Sequence, residues 1–249
     1  MRKIHVITQK EAVREDRLAG CTAVVIDVFL ATSTIIFLLD RNYEPVHAVL
    51  GSEQALDLSR QQEGRHLLLG ESKGDGIEGF EYPDPCALEY SKQRQAAIIC
   101  STNGTIAIEK AKHAKKLFIS SLVNGHRVAD RIHQEQDGSS IVLVCSGNDD
   151  RFSMEDFIGA GQLVEHLVQR GGYELSDAAK LAQQAYGHSI AEGFNELLES
   201  ETANLLKRFH FPHAAEFVIR HHEKLDVVPV YEDGIITKEP SQVNQAERE

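Results

Sequence analysis

The chain has no tryptophan, six prolines and only four cysteines among its 249 residues. The cysteines, Cys21, Cys86, Cys100 and Cys145, stand far apart and form no CxxC pair, so neither a disulfide framework nor a zinc site is favoured. No apolar run approaches the roughly 18 residues that a membrane-spanning helix needs, and Met1–Gln9 does not resemble a signal peptide. We therefore expect a cytoplasmic protein that has no membrane partner.

Positive charge is also scarce. The 26 Lys and Arg residues face 38 Asp and Glu residues, which gives a formal net charge of -12. Nucleic-acid binding requires a positive surface, so we expect no nucleic-acid partner. A small anionic substrate remains compatible with this charge if local side chains, or a metal ion held by the many carboxylates, supply positive charge.

Short apolar runs alternate with helical patterns along the chain, and this alternation predicts an α/β fold. We expect a layered α/β/α arrangement with a mostly parallel or mixed sheet and helices on both faces. The predicted strands are Ile4–Thr8, Ala23–Ile26, Val46–Leu50, His66–Leu69, Ala96–Cys100, Lys116–Ile119, Ile141–Cys145 and Val227–Tyr231.

The length of the chain is sufficient for one large domain with its own core. We predict a single α/β domain over residues 1–238, with two lobes dividing near residue 150 as the alternative. Residues 239–249 are polar and are predicted to be a disordered tail. A homodimer is expected only from the prevalence of symmetric dimers among oligomers.

The segment Ala23–Ile36 contains the first candidate site. Asp27 follows a buried strand, and the hydroxyl residues Thr32, Ser33 and Thr34 open a helical pattern just after it. In open α/β sheets, ligands bind beyond the carboxyl ends of the strands, where helix N-termini offer amide groups to anions. These residues are therefore candidate ligand-binding groups. The alternative is that Asp27 caps the turn and the hydroxyl groups only satisfy the start of a helix.

Two further predicted strands end in polar residues. One leads to Glu71, and the other, Ala96–Cys100, leads into a turn with two hydroxyl side chains and an amide that are suited to phosphate. The alternative is an ordinary strand-to-helix turn capped by Thr105. The residues of this turn are Ser101, Thr102, Asn103, Gly104 and Thr105.

A third acidic group lies at the start of a long amphipathic helix that Ser153 is predicted to cap. Glu155 and Asp156 occupy its first turn, where acids are favoured by the helix dipole, so this pair alone is more often structural than catalytic. Together with Asp27 and Glu71, however, these acids indicate Mg²⁺ held by one or two carboxylates and by substrate phosphate. The hypothesis is metal-assisted phosphoryl chemistry.

Several segments in order carry a family resemblance. The segments VVIDVFLATSTI, LLLGES, IEGFE, STNGTIAI, VCSG and RFSMEDFIGAG resemble the 2-phosphosulfolactate phosphatase family, from about Val24 to Tyr186. The resemblance implies a Mg²⁺-dependent hydrolase that releases phosphate from 2-phospho-3-sulfolactate or a related small phosphorylated acid. The product, 3-sulfolactate, belongs to coenzyme M synthesis in archaea and to sulfolactate formation in some bacteria.

The resemblance also implies roles for single residues. Asp27 and Glu71 are the first candidates for metal ligands, and Asp156 is the third. Glu155 is a candidate base beside a metal-activated water. Those four acids are the predicted catalytic residues. The predicted substrate-binding residues are Thr32, Ser33, Thr34, Lys73, Ser101, Thr102, Asn103, Gly104, Thr105 and Arg151.

This chain departs from the family pattern at two arginines. Leu30 stands where the family reads DxLRAT, and Ile106 stands where it reads TTNGTRA. A charge-assisted contact typically contributes about 1.5 to 3 kcal/mol, so losing two weakens binding or turnover by a factor of about 10² to 10⁴. Lys73 and Arg151 are candidate replacements. The alternative function is a catalytically weak or repurposed member that binds an anion or a protein partner.

Overall fold

The computed structural model describes residues 1–62, 64–135 and 137–239, and it has the predicted layered α/β/α architecture. The strands are β1 (Arg2–Ile7), β2 (Thr22–Ile26), β3 (Tyr43–Val49), β4 (His66–Ser72), β5 (Asp75–Gly76), β6 (Gln95–Cys100), β7 (Lys116–Ser120), β8 (Ile141–Cys145), β9 (Tyr173–Leu175), β10 (Pro229–Glu232) and β11 (Ile235–Lys238). The helices are α1 (Ala31–Asp40), α2 (Ser52–Gln61), α3 (Gly104–Ala111), α4 (Gly125–Glu135), α5 (Met154–Arg170), α6 (Asp177–Ala191), α7 (Glu201–Arg208) and α8 (Ala214–Arg220).

The strands form one 11-stranded sheet in the order β5-β4-β6-β3-β11-β10-β7-β2-β8-β1-β9. Two blocks of this sheet are parallel, β4-β6-β3 on one side and β7-β2-β8-β1-β9 on the other. The hairpin β10-β11 lies between them and pairs antiparallel with β7 and β3. The sheet is therefore mixed but mostly parallel, as predicted.

The central strands are buried on both faces because they are short, uninterrupted apolar runs. Every residue of β2 and of β8 is buried, and Val24 of β2 lies opposite Phe118 of β7 and Leu143 of β8. Both strands could be predicted from the sequence because each is a short apolar run. Strands β9 and β11 and helix α8 were not predicted from the sequence.

Two helices connect the parallel blocks. Helix α1 packs against β3 and β7, whereas α3 packs against β2 and β3. In α1 every residue from Ala31 to Leu39 is buried, so this helix lies in the interior rather than on the surface. The turns that precede α1 and α3 are thereby brought close together, and they carry Asp27 and Asn103.

The last described residue, Glu239, is the first residue of the predicted tail. Its amide donates to the carbonyl of Val228, and its carboxylate forms ion pairs with Lys116 and Arg131. The rest of the predicted tail, residues 240–249, lies outside the described part of the chain. Among the described helices, none has the length and apolar character needed to cross a membrane.

Candidate active site

A cavity of about 170 Å³ lies beyond the carboxyl ends of β2, β4, β6 and β8. It collects residues from segments that are far apart in sequence, as expected for a site at the edge of an α/β sheet. The predicted site residues that line it are Asp27, Glu71, Lys73, Ser101, Thr102, Asn103 and Arg151. The predicted site residues that do not line it are Thr32, Ser33, Thr34, Gly104, Thr105, Glu155 and Asp156.

Asp27 is the most buried acid of the cavity lining, with 6% of its surface exposed. One carboxylate oxygen accepts from the amide of Ala31 at 3.2 Å, at the start of α1. Burial, helped by the nearby Glu71 and Glu155, raises the pKa of Asp27 to about 7, although the amide of Ala31 and the ammonium group of Lys10 oppose the shift. Asp27 therefore changes charge near neutral pH.

The other oxygen of Asp27 lies against the first residue of α3. A Cβ atom at Gly104 would lie 2.7 Å from Oδ2 of Asp27 and 2.5 Å from the Cβ of Ala31. Only glycine leaves room for this contact, which brings the positive end of a helix next to a buried carboxylate. Gly104 therefore shapes the site although it does not line the cavity.

Glu71 organises the turn opposite Asp27. Its carboxylate accepts from the amide of Thr102 at 2.5 Å, from the hydroxyl of Thr102 at 3.0 Å and from the amide of Gly74 at 2.8 Å. The Thr102 hydroxyl also accepts from the amide of Lys73 at 2.7 Å. These bonds join the end of β4 to the turn after β6.

Lys10 is a site residue that the sequence did not reveal, because it lies in a polar segment without a motif. Its ammonium group is buried and donates to the side-chain oxygen of Asn103 at 2.8 Å and to the carbonyl of Asp149 at 2.6 Å. The amide of Asp149 also donates to Asn103, at 3.0 Å. Asn103 is thus held by two groups and is not free to rotate.

Glu155 and Asp156 are buried behind the cavity lining. The carboxylate of Asp156 accepts from the amides of Val28 and Gly147, at 2.8 and 3.0 Å, so it connects the turns after β2 and β8. Burial raises the pKa of Asp156 well above its usual range, and Asp27 and Glu155 add to the shift. Burial also raises the pKa of Glu155, while the hydroxyl of Thr202 opposes it.

The three hydroxyl residues of α1 face the interior of the protein. Thr32 accepts from the amide of Asp27 and donates to the carbonyl of Ser120, and Ser33 donates to the carbonyl of Val28. Thr34 donates to the carbonyl of Pro83 at 2.7 Å. All three hydroxyl groups therefore hold the turns around the cavity together instead of facing it.

Ser101 and Thr105 bond to each other across the turn before α3. The Thr105 hydroxyl donates to the carbonyl of Ser101 at 2.9 Å, and the Thr105 amide donates to the Ser101 hydroxyl at 3.1 Å. This pair resembles the structural alternative considered for the turn, in which Thr105 fixes the start of the helix. Ser101 and Thr102 nevertheless line the cavity.

Much of the remaining lining is apolar. We define the apolar lining as Phe29, Leu30, Tyr82, Pro83, Leu205 and Leu206. Leu205 and Leu206 belong to α7, together with Thr202, and none of these three was recognised from the sequence. No signal in the local pattern distinguishes them from residues that only pack α7 onto the core.

The fit of a magnesium ion depends on Asp27 and Glu71, two of the three acids that line the cavity. In the described part of the chain, no group of three or more His, Cys, Asp or Glu side chains is arranged to hold a metal ion. Mg²⁺ requires less, because it keeps several waters and binds through one or two carboxylates and substrate phosphate. Asp27 and Glu71 fit such a site because they line the cavity, whereas Asp156 lies behind the lining and is bonded to the amides of Val28 and Gly147.

Comparison with known proteins identifies the relatives of this chain. The sequence profile of a family described as 2-phosphosulpholactate phosphatase matches residues 7–234. The chain belongs to this family. A Clostridium beijerinckii protein named probable 2-phosphosulfolactate phosphatase is 32% identical over 242 residues, covering 95% of this chain and 100% of that protein.

Two further relatives are also named probable 2-phosphosulfolactate phosphatase. The Clostridium perfringens protein is 34% identical over 212 residues, which cover 82% of this chain and 84% of that protein. The Clostridium acetobutylicum protein is 35% identical over 188 residues, which cover 74% of this chain and 79% of that protein.

The sequence pattern led us to expect arginine at two positions, which carry Leu30 and Ile106. Leu30 lines the cavity and is 6% exposed. Ile106 is half-buried on α3 and does not line the cavity. Of these two side chains, only Leu30 is therefore part of the cavity surface.

Proposed function

We propose that this chain is a Mg²⁺-dependent phosphomonoester hydrolase that releases phosphate from 2-phospho-3-sulfolactate or a related small phosphorylated acid. The observation that carries the proposal is the position of Asp27. This acid is buried at a strand end, changes charge near pH 7, and lies against the first turn of α3. A helix N-terminus beside an acid that attracts a cation is suited to a phosphate group.

In this proposal the chain's own residues bind and orient the phosphate. Asp27 and Glu71 would hold Mg²⁺, which when bound neutralises charge on the phosphoryl oxygens. Thr102 and Asn103 line the cavity next to these acids, and their side chains are held by Glu71 and Lys10. Such preorganised groups stabilise developing charge without rearranging during the reaction.

A buried acid behind the cavity adds to the effect of burial on the pKa of Asp27. Glu155 contributes to the raised pKa of Asp27, and it lies close to Thr202 of the cavity lining. A divalent cation at Asp27 would favour the ionised carboxylate and thereby lower this pKa. We therefore expect metal binding to release a proton near pH 7.

The test is a phosphate-release assay with and without Mg²⁺ on 2-phospho-3-sulfolactate, 2-phospholactate and phenyl phosphate. We expect Mg²⁺-dependent release from at least one substrate, and loss of at least about 10²-fold in kcat for Asp27→Asn. Asp57→Asn is the matched control, since Asp57 lies on the exposed surface of α2. Folded protein that releases no phosphate from any of the three substrates would contradict the proposal.

A second candidate function rests on Leu30. An apolar group in the cavity favours a family member that binds an anion or a partner protein with weak turnover. The double variant Leu30→Arg with Ile106→Arg separates the two. A large gain in 2-phosphosulfolactate phosphatase activity supports a protein that has lost the family activity, whereas no gain supports a repurposed site.

A further inference from the structure

We propose that a second cavity beside the first binds an anionic group of the substrate distal to the phosphate, with Arg208 and Arg151 as its cations. This inference rests on the proposed function and assigns the residues that would bind the part of the substrate distal to the phosphate. It makes Arg208 a specificity residue that distinguishes substrates with a second anionic group from simple alkyl or aryl phosphates.

The second cavity adjoins the first and has a volume of about 260 Å³. The two cavities share Asn148, Arg151 and Leu205 in their linings, so one small molecule can contact both. The complete lining of the second cavity is Asn148, Arg151, Glu201, Asn204, Leu205 and Arg208.

The second cavity has a more positive lining than the first. Two arginines and one glutamate line it, whereas two cations and three acids line the first cavity. Arg151 pairs with Glu201 at 2.9 Å, and both side chains are exposed, so an anionic ligand can compete for this arginine. Arg208 is exposed on α7 and forms no ion pair or hydrogen bond with any residue the structure describes, so its guanidinium group is available to a ligand.

The first cavity offers little to a second anion. Its lining cations among the described residues are Lys73, which is exposed, and Arg151, which it shares with the second cavity. The apolar lining, including Leu30, provides no hydrogen-bond donor to a sulfonate or carboxylate apart from the Tyr82 hydroxyl. Placing an anion against it would leave the charge unpaired, which is costly.

One face of α7 supplies most of the second cavity. Glu201, Asn204, Leu205 and Arg208 are spaced by three or four residues and therefore lie on the same side of the helix. Lys207, the neighbouring cation of α7, donates to the carbonyl of Leu198 at 2.7 Å and to the side-chain oxygen of Asn204 at 3.2 Å. Its charge is therefore already paired within the protein, whereas that of Arg208 is not.

An arginine at an exposed position far from both cavities provides a matched control. We expect Arg208→Gln to raise KM for 2-phospho-3-sulfolactate about tenfold, the value of one charge-assisted contact, with little change in kcat. KM for phenyl phosphate, which has no second anionic group, is expected to change less than about twofold. Arg208→Lys should restore part of the affinity. Arg60→Gln, which removes an equal charge from the exposed surface of α2, should leave KM for both substrates unchanged.

Direct binding separates failure of this inference from failure of the proposed function. Isothermal titration calorimetry with 3-sulfolactate reports the subsite without turnover, and we expect Arg208→Gln to raise its Kd about tenfold. An equal effect of Arg208→Gln on both phosphate esters, no effect on either, or no binding of 3-sulfolactate to the unaltered protein would overturn the inference. If no ester is hydrolysed but 3-sulfolactate binds through Arg208, the subsite stands and the hydrolase proposal fails.

Discussion

Replacing Asp27 by Asn is expected to make the metal-free protein more stable at pH 8, although it removes a site residue. In the folded protein the pKa of Asp27 is about 7, against 3.8 for an ordinary aspartate. Between these values the folded state binds more protons than the unfolded state, so the stability of the unaltered protein falls as pH rises. An uncharged amide does not have this penalty, and its oxygen can still accept from the amide of Ala31.

The magnitude follows from the two pKa values. The full penalty above pH 7 is about 4 kcal/mol, and about 1 to 2 kcal/mol of it is already present at pH 5. The unfolding free energy of Asp27→Asn, relative to the unaltered protein, should therefore rise by about 3 kcal/mol between pH 5 and pH 8. Asp57→Asn, at an exposed position of α2, should show little change over the same range.

Urea unfolding in the presence of EDTA measures this difference at both pH values. If the relative stability of Asp27→Asn is the same at pH 5 and pH 8, burial does not raise the pKa of Asp27 and the reasoning is refuted. Adding Mg²⁺ at pH 8 should stabilise the unaltered protein more than the variant, because ligand binding to the folded state adds RT ln(1 + [Mg²⁺]/Kd).

Two further predictions concern the surroundings of Asp27. Gly104→Ala should cost about 1 to 3 kcal/mol in urea unfolding and abolish phosphate release, because the added methyl group would overlap Asp27. Gly187→Ala, in open space on α6, should instead stabilise by about 0.5 to 1 kcal/mol, and equal effects at the two glycines would contradict this explanation. Lys10→Gln removes a cation that lowers the pKa of Asp27, so the acid limb of the kcat/KM profile should move to higher pH. Lys180→Gln, a change at an exposed lysine of α6, should leave the profile in place, and an unmoved limb in Lys10→Gln would exclude this coupling.

The elements that could be predicted from the sequence are those whose signal is local. Strand β8 was predicted with its observed bounds, Ile141–Cys145, because a short apolar run has few alternatives in an α/β protein. The cap of α5 by Ser153 was predicted equally well, since its hydroxyl accepts from the amide of Asp156. In contrast, β11 is only four residues long, and its place in the sheet depends on β3, which lies far away in sequence.

The residues of the candidate site also divide into those with a local sequence signal and those whose role depends on distant partners. Asp27, Glu71 and Asn103 were predicted because each follows a strand, and the structure brings them to one cavity. Lys10 was missed because its role depends on partners 93 and 139 residues away. Asp156 was predicted as a third metal ligand from the family resemblance, and only the packing shows that it lies behind the cavity lining and accepts from the amides of Val28 and Gly147.

The position of the β10-β11 hairpin has a consequence for synthesis of the chain. The hairpin follows all the other described strands in chain order, yet it provides the partners for β3 and β7 in the middle of the sheet. Until Pro229–Lys238 leaves the ribosome, each of these two strands presents an unpaired edge, and such edges template association between chains. The nascent chain therefore has two unpaired strand edges after β3 and β7 have been made, and its yield should depend strongly on chaperones that shield them.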